Sequence, residues 1–274
     1  MGTRKRKLGL QDITRCHPTK RNGKRCLPTE TYRSLEKSHR AKGKALFAAV
    51  GCDDGAEHCL LDKVALTEDV KKDLRTRYLR PRRPAAWDKK PDTWLDNDNI
   101  ERVMRQYEVV FPWFEFMGVF PIDFSAPDPY QKDSTPKCLH ESLCTLQLKE
   151  EYRKGKRGIG MVFNLDPHYK GGSHWVALYI NLQNIDAPFI GYCDSYGMRT
   201  PPLIARFMRA FTLQIPGCQL GSNARRFQYS HTECGMYSLY YLICMIHEIP
   251  FKNFCKEATK DSTMLELRKI LFSK

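Results

Sequence analysis

The sequence predicts an α+β fold, a strand-built core with helices around it and a helical arm in front. Three observations carry this. Gly158 to Leu165, His174 to Asn181 and Phe189 to Asp194 are short apolar runs separated by turn signals such as Gly171-Gly172-Ser173, which is the pattern of core strands. Helical periodicity fills Thr29 to Val50 and Thr67 to Tyr78 ahead of them, and Ser262 to Phe272 behind. Ser230 to Leu242 passes from a polar run through one cysteine into residues that are apolar on almost every face, as in a helix surrounded by protein.

A chain of 274 residues can bury a full core without crosslinks. It has no run of about 18 apolar residues, so no membrane span is expected. Its basic beginning is unlike a secretory signal. The 11 cysteines are odd in number and lack framework spacing, which predicts reduced thiols. Cys16-His17 with Cys26, Cys52 with His58-Cys59, and Cys138 with His140 and Cys144 suggest zinc. None has tight Cys-x-x-Cys spacing, so no metal site is expected.

The net charge of +14 is concentrated at the front. Residues 1–90 carry 24 Lys/Arg against 11 Asp/Glu, and the rest carry 21 against 20. Residues 1–28, with Thr3 to Lys7 and Lys20 to Arg25 as the densest clusters, read as a mobile tail. Such a tail is solvated, addresses the nucleus or touches nucleic acid.

Residues 29–85 read as the helical arm. Tyr32, Leu35, Leu46 and Phe47 are core candidates, then Val70, Leu74 and Tyr78 on a helix capped by Thr67. Arg80 to Pro84 reads as a linker. The core, residues 86–274, opens with a helix from about Ile100 to Tyr107, capped by Asn97 or Asp98. Phe111 to Phe124 is aromatic-rich without local positive charge, and core packing suits it better than base stacking. Ser125 to Lys137 is a loop. Gly158 opens the first clear core strand. Pro201-Pro202 starts a helix carrying Leu203, Ile204, Phe207, Phe211 and Leu213. Arg225 to Tyr229 reads as a short strand.

Cys234 falls in the first turn of the buried helix, where free N–H groups and the helix dipole favour a thiolate. A nucleophilic cysteine needs a base, a group to orient it and donors for an oxyanion. His174 at a strand start is the base candidate. Asp194 ends the next strand, and an antiparallel hairpin sets the end of one strand beside the start of its neighbour. Its carboxylate can hold one imidazole nitrogen and leave the other for the thiol. Gln228 lies just before the cysteine and can offer an amide N–H beside the Cys234 backbone N–H. Taken singly, each of these residues has an ordinary structural explanation.

The order His174-Trp175, Asp194-Ser195, Gln228, then Cys234-Gly235 resembles the Ulp1/adenain clan of cysteine proteases. The segments His174 to Ala177 and Thr232 to Leu239 are similar to those of the African swine fever virus type of polyprotein-processing protease. Trp94-Leu95-Asp96 followed by Ile100 resembles a further clan signature, and Gly51-Cys52-Asp53 with Cys59 resembles part of that viral enzyme's arm. Asp194 departs from the asparagine of the viral type and matches the cellular SUMO proteases.

The resemblance implies a central mixed sheet flanked by helices, with the catalytic Cys heading a buried helix. It implies His174 as base, Asp194 as its orienter, Gln228 as oxyanion donor and Cys234 as nucleophile. It implies that Trp175 narrows a cleft for glycines. The expected activity is cleavage of viral capsid or core polyprotein precursors after Gly-Gly-X-type motifs, in the host cytoplasm and the virion. No cofactor is expected, except that the adenovirus protease of this clan uses DNA, so activation by DNA or another polyanion is a reading the basic front end keeps open. The alternatives are a deconjugase for SUMO or a similar modifier, and a basic DNA-binding packaging protein with an inactive core.

Overall fold

The computed structural model describes residues 16–17, 25–129, 138–257 and 259–273. Most of the basic tail, and the loop centre at 130–137, lie outside the described residues. Its frame is a five-stranded mixed sheet in the order β1-β2-β3-β4-β5. The strands are β1 (Phe114–Pro121), β2 (Gly158–Asn164), β3 (Trp175–Asn181), β4 (Phe189–Cys193) and β5 (Gln219–Ser222). The central three run antiparallel, and each outer strand is parallel to its neighbour.

Both faces of the sheet are covered, and β2 and β3 are buried up to their last residue. Successive strand side chains point to opposite faces, so β3 feeds two cores. Trp175, Ala177 and Tyr179 join one cluster, while Val176, Leu178 and Ile180 join the other. The helices of the core are α5 (Asn97–Val110), α6 (Glu141–Cys144), α7 (Leu148–Arg153), α8 (Pro202–Gln214), α9 (Cys234–Ile246), α10 (Phe251–Lys256) and α11 (Asp261–Leu271). Helices α5, α9 and α11 pack on the Ala177 face, and α8 packs on the Leu178 face. No helix among the described residues is long and apolar enough to cross a membrane.

Among the described residues, four helices come before the 80–84 stretch: α1 (Thr29–His39), α2 (Lys44–Ala49), α3 (Glu57–Lys63) and α4 (Glu68–Tyr78). They enclose their own cluster, which includes Tyr32, Leu35, Leu46, Phe47, Leu60 and Leu74. Buried Glu57 ties it together by accepting the N–H groups of Cys26 (2.7 Å) and Leu27 (2.9 Å) and the hydroxyl of Tyr32. The 80–84 stretch is stitched to the end of the chain. Arg83 N donates to Ser273 O (2.8 Å), Ser273 N donates to Pro81 O (2.9 Å), and Arg80 Nη1 donates to Lys269 O (2.8 Å).

Several sequence expectations change here. The helix expected over 29–50 breaks in two, with Arg40 in the left-handed region (φ 52°). Val70 is 44% exposed, so the apolar face of α4 is narrower than expected, and Leu213 on α8 is 87% exposed. Thr67 does cap α4, but α5 is capped by Asp96, whose carboxylate accepts Asn99 N at 2.7 Å. The first core strand is β1 rather than β2. Arg225 to Tyr229 forms no strand, and the ordered strand before it is β5. Reduced thiols are also corrected: Cys16–Cys26, Cys52–Cys59 and Cys138–Cys144 are disulfides. The cysteines considered for zinc are therefore those that are crosslinked.

A buried ion pair fixes the head of α9. Glu233 and Arg268 side chains are 1% and 3% exposed, and Arg268 Nε donates to Glu233 Oε2 at 2.9 Å. Arg268 also donates to Thr93 O (2.8 Å) and Thr232 O (3.2 Å) and lies over the Trp87 ring. Burial raises the Glu233 carboxyl pKa against the opposing pull of Arg268. Removing one partner of a buried pair leaves a desolvated charge, so Arg268→Met should cost about 3–5 kcal/mol. Adding Glu233→Gln should recover part of that loss, and urea unfolding of the two variants measures both effects.

Candidate active site

His174 stands immediately before β3, at the sheet rim. The loop ahead of it is shaped by Asn164, whose Oδ1 accepts Asp166 N (2.9 Å) and Ser173 N (3.2 Å). Leu165 N donates to His174 O at 2.9 Å. The β3–β4 register sets Cys193 opposite Ala177, so Asp194 leaves β4 close to where β3 begins. Asn223, just past β5, fixes that exit. Its Oδ1 accepts Asp194 N (2.8 Å), and its Nδ2 donates to Asp194 O (2.7 Å) and Arg225 O (3.0 Å).

His174 Nε2 and Asp194 Oδ1 lie 2.7 Å apart, with side chains 11% and 1% exposed. Asp194 Oδ1 also accepts Tyr196 N at 2.8 Å. Cys234 is the first residue of α9, 2% exposed, and its thiol lies near enough to the His174 imidazole to raise the ring's pKa. With Nε2 on the carboxylate, Nδ1 is the nitrogen left for the thiol. Burial pushes the His174 pKa down, but the hydrogen bonds and charges of Asp194 and Cys234 outweigh it, and the pKa is raised to about 9.

Gln228 is fully buried. Its Oε1 accepts Ser195 Oγ at 2.6 Å, and its Nε2 donates to Ser230 O at 2.9 Å and, across 3.4 Å, to the Tyr196 hydroxyl. Trp175 is 6% exposed, and its Nε1 donates to Leu95 O at 3.0 Å. Gly235 brings the first turn of α9 against Leu95, where an added Cβ would come within 3.1 Å of Leu95 Cβ. Beside Trp175 opens a cavity of about 290 Å³ whose walls include Asn97, Asn164, Asp166, His168 and Gly171. No group of three or more metal-ligating side chains occurs among the described residues.

The structure thus brings Asp194, His174 and Cys234 into one buried line, joins Gln228 to it through Tyr196, and holds Trp175 on the same Leu95 that packs against Gly235. Sequence reasoning missed the parts that hold this line. Tyr196 stacks on the His174 ring, with centroids 4.6 Å apart. Ser195 clamps the Gln228 carboxamide, and Asn223 clamps the Asp194 backbone. An aromatic directly after a strand-ending Asp-Ser was a signal for Tyr196. Asn223 carries none, because its partners are distant in the chain.

No protein-family model matches the chain. A putative thiol protease of Acanthamoeba polyphaga mimivirus is 27% identical over 231 residues, spanning 79% of this chain and 68% of the relative. A cysteine protease of African swine fever virus is 26% identical over 237 residues, spanning 81% of this chain and 84% of the relative. The crystal structure of the African swine fever virus protease superposes with a TM-score of 0.70 at 20% identity, covering 96% of both chains. The chain is a cysteine protease similar in sequence and fold to that of African swine fever virus. The likeness in fold extends along nearly the whole length of the protease, arm included.

The raised His174 pKa gives the protease a definite pH response. The stability that this interaction adds is complete below the ordinary imidazole value near 6.5 and is lost as pH rises through about 9. An NMR titration of the His174 ring should place its midpoint near 9. In Asp194→Asn, which removes the carboxylate charge, the midpoint should move to lower pH.

Proposed function

We propose that this protease cuts viral capsid or core polyprotein precursors after Gly-Gly-X-type motifs during virion maturation, with Cys234, His174 and Asp194 as its triad. The observation that carries this is the buried line from Asp194 through His174 to the Cys234 thiol at a helix N-terminus. In this mechanism His174 takes the thiol proton, and the Cys234 thiolate attacks the scissile carbonyl. The imidazolium then protonates the leaving amine, and His174 activates the water that frees the acyl group. Asp194 orients the ring and stabilises its charged form.

The Cys234 backbone N–H and the Gln228 amide bind the oxyanion. One Gln228 hydrogen is committed to Ser230 O, while the contact to Tyr196 is long. The second hydrogen is therefore the one a substrate oxygen takes. By resemblance to the clan, Trp175, held through Nε1 on Leu95 O, narrows the acyl side of the cleft to residues without side chains. We place the enzyme in the host cytoplasm and the virion, with the basic front end able to contact nucleic acid. DNA dependence is read from cleavage rates with and without DNA across a salt series.

A second reading has one observation in its favour: relatives from several African swine fever virus isolates carry the name SUMO-1 cysteine protease. A tail-labelled SUMO and a Gly-Gly-X peptide, tested side by side, separate the two substrates. A Gly-Gly vinyl sulfone should label Cys234, with the adduct mapped by mass spectrometry. Cys234→Ala and His174→Ala should abolish cleavage while the protein stays folded. Gln228→Ala should lower kcat by about 10²–10³, and an unchanged rate would reassign the oxyanion donor.

A further inference from the structure

The catalytic imidazole heads a chain of planar groups that runs to the surface. His174 stacks on Tyr196 with planes 21° apart. The Arg226 guanidinium lies 5.2 Å from the Tyr196 ring centre and 4.9 Å from that of Tyr229. Arg226 Nε donates to Gln228 O at 2.7 Å, which ties the guanidinium to the residue proposed to hold the oxyanion.

The backbone beneath this stack has no slack. Ser195 O accepts both Phe227 N (2.8 Å) and Gln228 N (2.9 Å). Gly197 closes the turn after Asp194 at φ 69°, and a Cβ there would lie 2.7 Å from Arg225 C and 2.8 Å from Arg226 N. The turn that carries Tyr196 and the segment that carries Arg226 are thus locked in one register. Arg226 remains exposed, and Tyr229 is 71% exposed. Among the described residues, the terminal nitrogens of Arg226 make no hydrogen bond or ion pair. The nearby acid, Asp261, is already engaged by Tyr229 N (3.0 Å), Ser230 N (2.8 Å) and the Tyr237 hydroxyl (3.0 Å).

An arginine that merely solvates a surface keeps its rotamer freedom. This one is held through Nε and two rings, with its fork free. A fixed guanidinium fork matches a carboxylate in bidentate geometry. Tyr196 covers the His174 ring, while Trp175, the next residue after His174, is braced on Leu95. If the Trp175 flank takes the acyl side, as proposed above, the stack flanks the leaving group. We propose that Arg226 selects substrates bearing an acidic side chain just after the scissile bond. This rests on the proposed assignment of the acyl side.

The test uses the full chain and quenched peptides with a common Gly-Gly-X acyl side. Glu, Gln or Lys is scanned through the first three leaving-side positions, and kcat/KM is compared within each enzyme, so a general loss of rate cancels. The native protease should favour Glu over Lys by about tenfold at one position, the scale of a charge-assisted hydrogen bond. Arg226→Lys should keep part of this preference, and Arg226→Glu should reverse it. A ratio near one in the native enzyme, a preference confined to the acyl side, or a ratio unchanged in Arg226→Glu would overturn the assignment.

Should no Gly-Gly-X peptide be cut, that cleavage reading fails separately. Protection of Cys234 from iodoacetamide then decides the question of Arg226. The Glu peptide should protect better than the Lys peptide in the native chain and lose that advantage in Arg226→Glu. Equal protection by both peptides would refute the acidic preference.

Discussion

The structure depends on α9 being buried along its whole length. Every residue from Cys234 to Ile246 is buried, so the helix has no solvent face on which to present a functional group. Chemistry is left to its ends, and the N-terminal end is where orphan N–H groups stabilise negative charge. Burying that end creates a problem of its own, because Glu233 goes in with it. Arg268 on α11 resolves this by satisfying the carboxylate and, with its remaining donors, the carbonyls of Thr93 and Thr232. One guanidinium joins the chain before α5, the head of α9 and the last helix, and the position of the thiol follows from all three.

The sheet supplies the other half of the site by register. His174 and Asp194 meet because the β3–β4 pairing brings the start of one strand beside the end of the next. Their meeting point is then trimmed by Asn223, which bonds both the N–H and the carbonyl of Asp194. The imidazole is fixed at its edge by the carboxylate and on its face by Tyr196. Burial works against the charged ring, and the contacts and charges of Asp194 and Cys234 outweigh it, which is why its pKa is elevated. The elements are rigid where the site needs rigidity, and the supporting residues come from segments with no repeating pattern.

That division explains what was legible in the sequence. Strands β2, β3 and β4 and the helix from Cys234 declare themselves through local periodicity, and His174, Asp194 and Cys234 sit at their ends. The β1 strand was hidden because its aromatic run slips register between Phe116 and Gly118, which blurs the period-two signal. The β5 strand is short and largely exposed, so it has no apolar pattern to read. Arg225 to Tyr229 looked like a strand but is held through Ser195 O instead. Disulfide partners are set by folding rather than by spacing, and a chain long enough for a full core gave no reason to expect them. Asn223 and Arg268 act on residues far away in sequence, and nothing local announces them.

The crosslinks leave the enzyme with two opposed redox needs. The proposed nucleophile, Cys234, is a thiol that oxidants destroy, while Cys16–Cys26, Cys52–Cys59 and Cys138–Cys144 are bonds that a strong enough reductant opens. The bridges belong to the front of the chain and to the segment ahead of α7, and the thiol belongs to the sheet and its central helix. A reductant strong enough to revive the second threatens the first, so no single buffer suits the whole molecule.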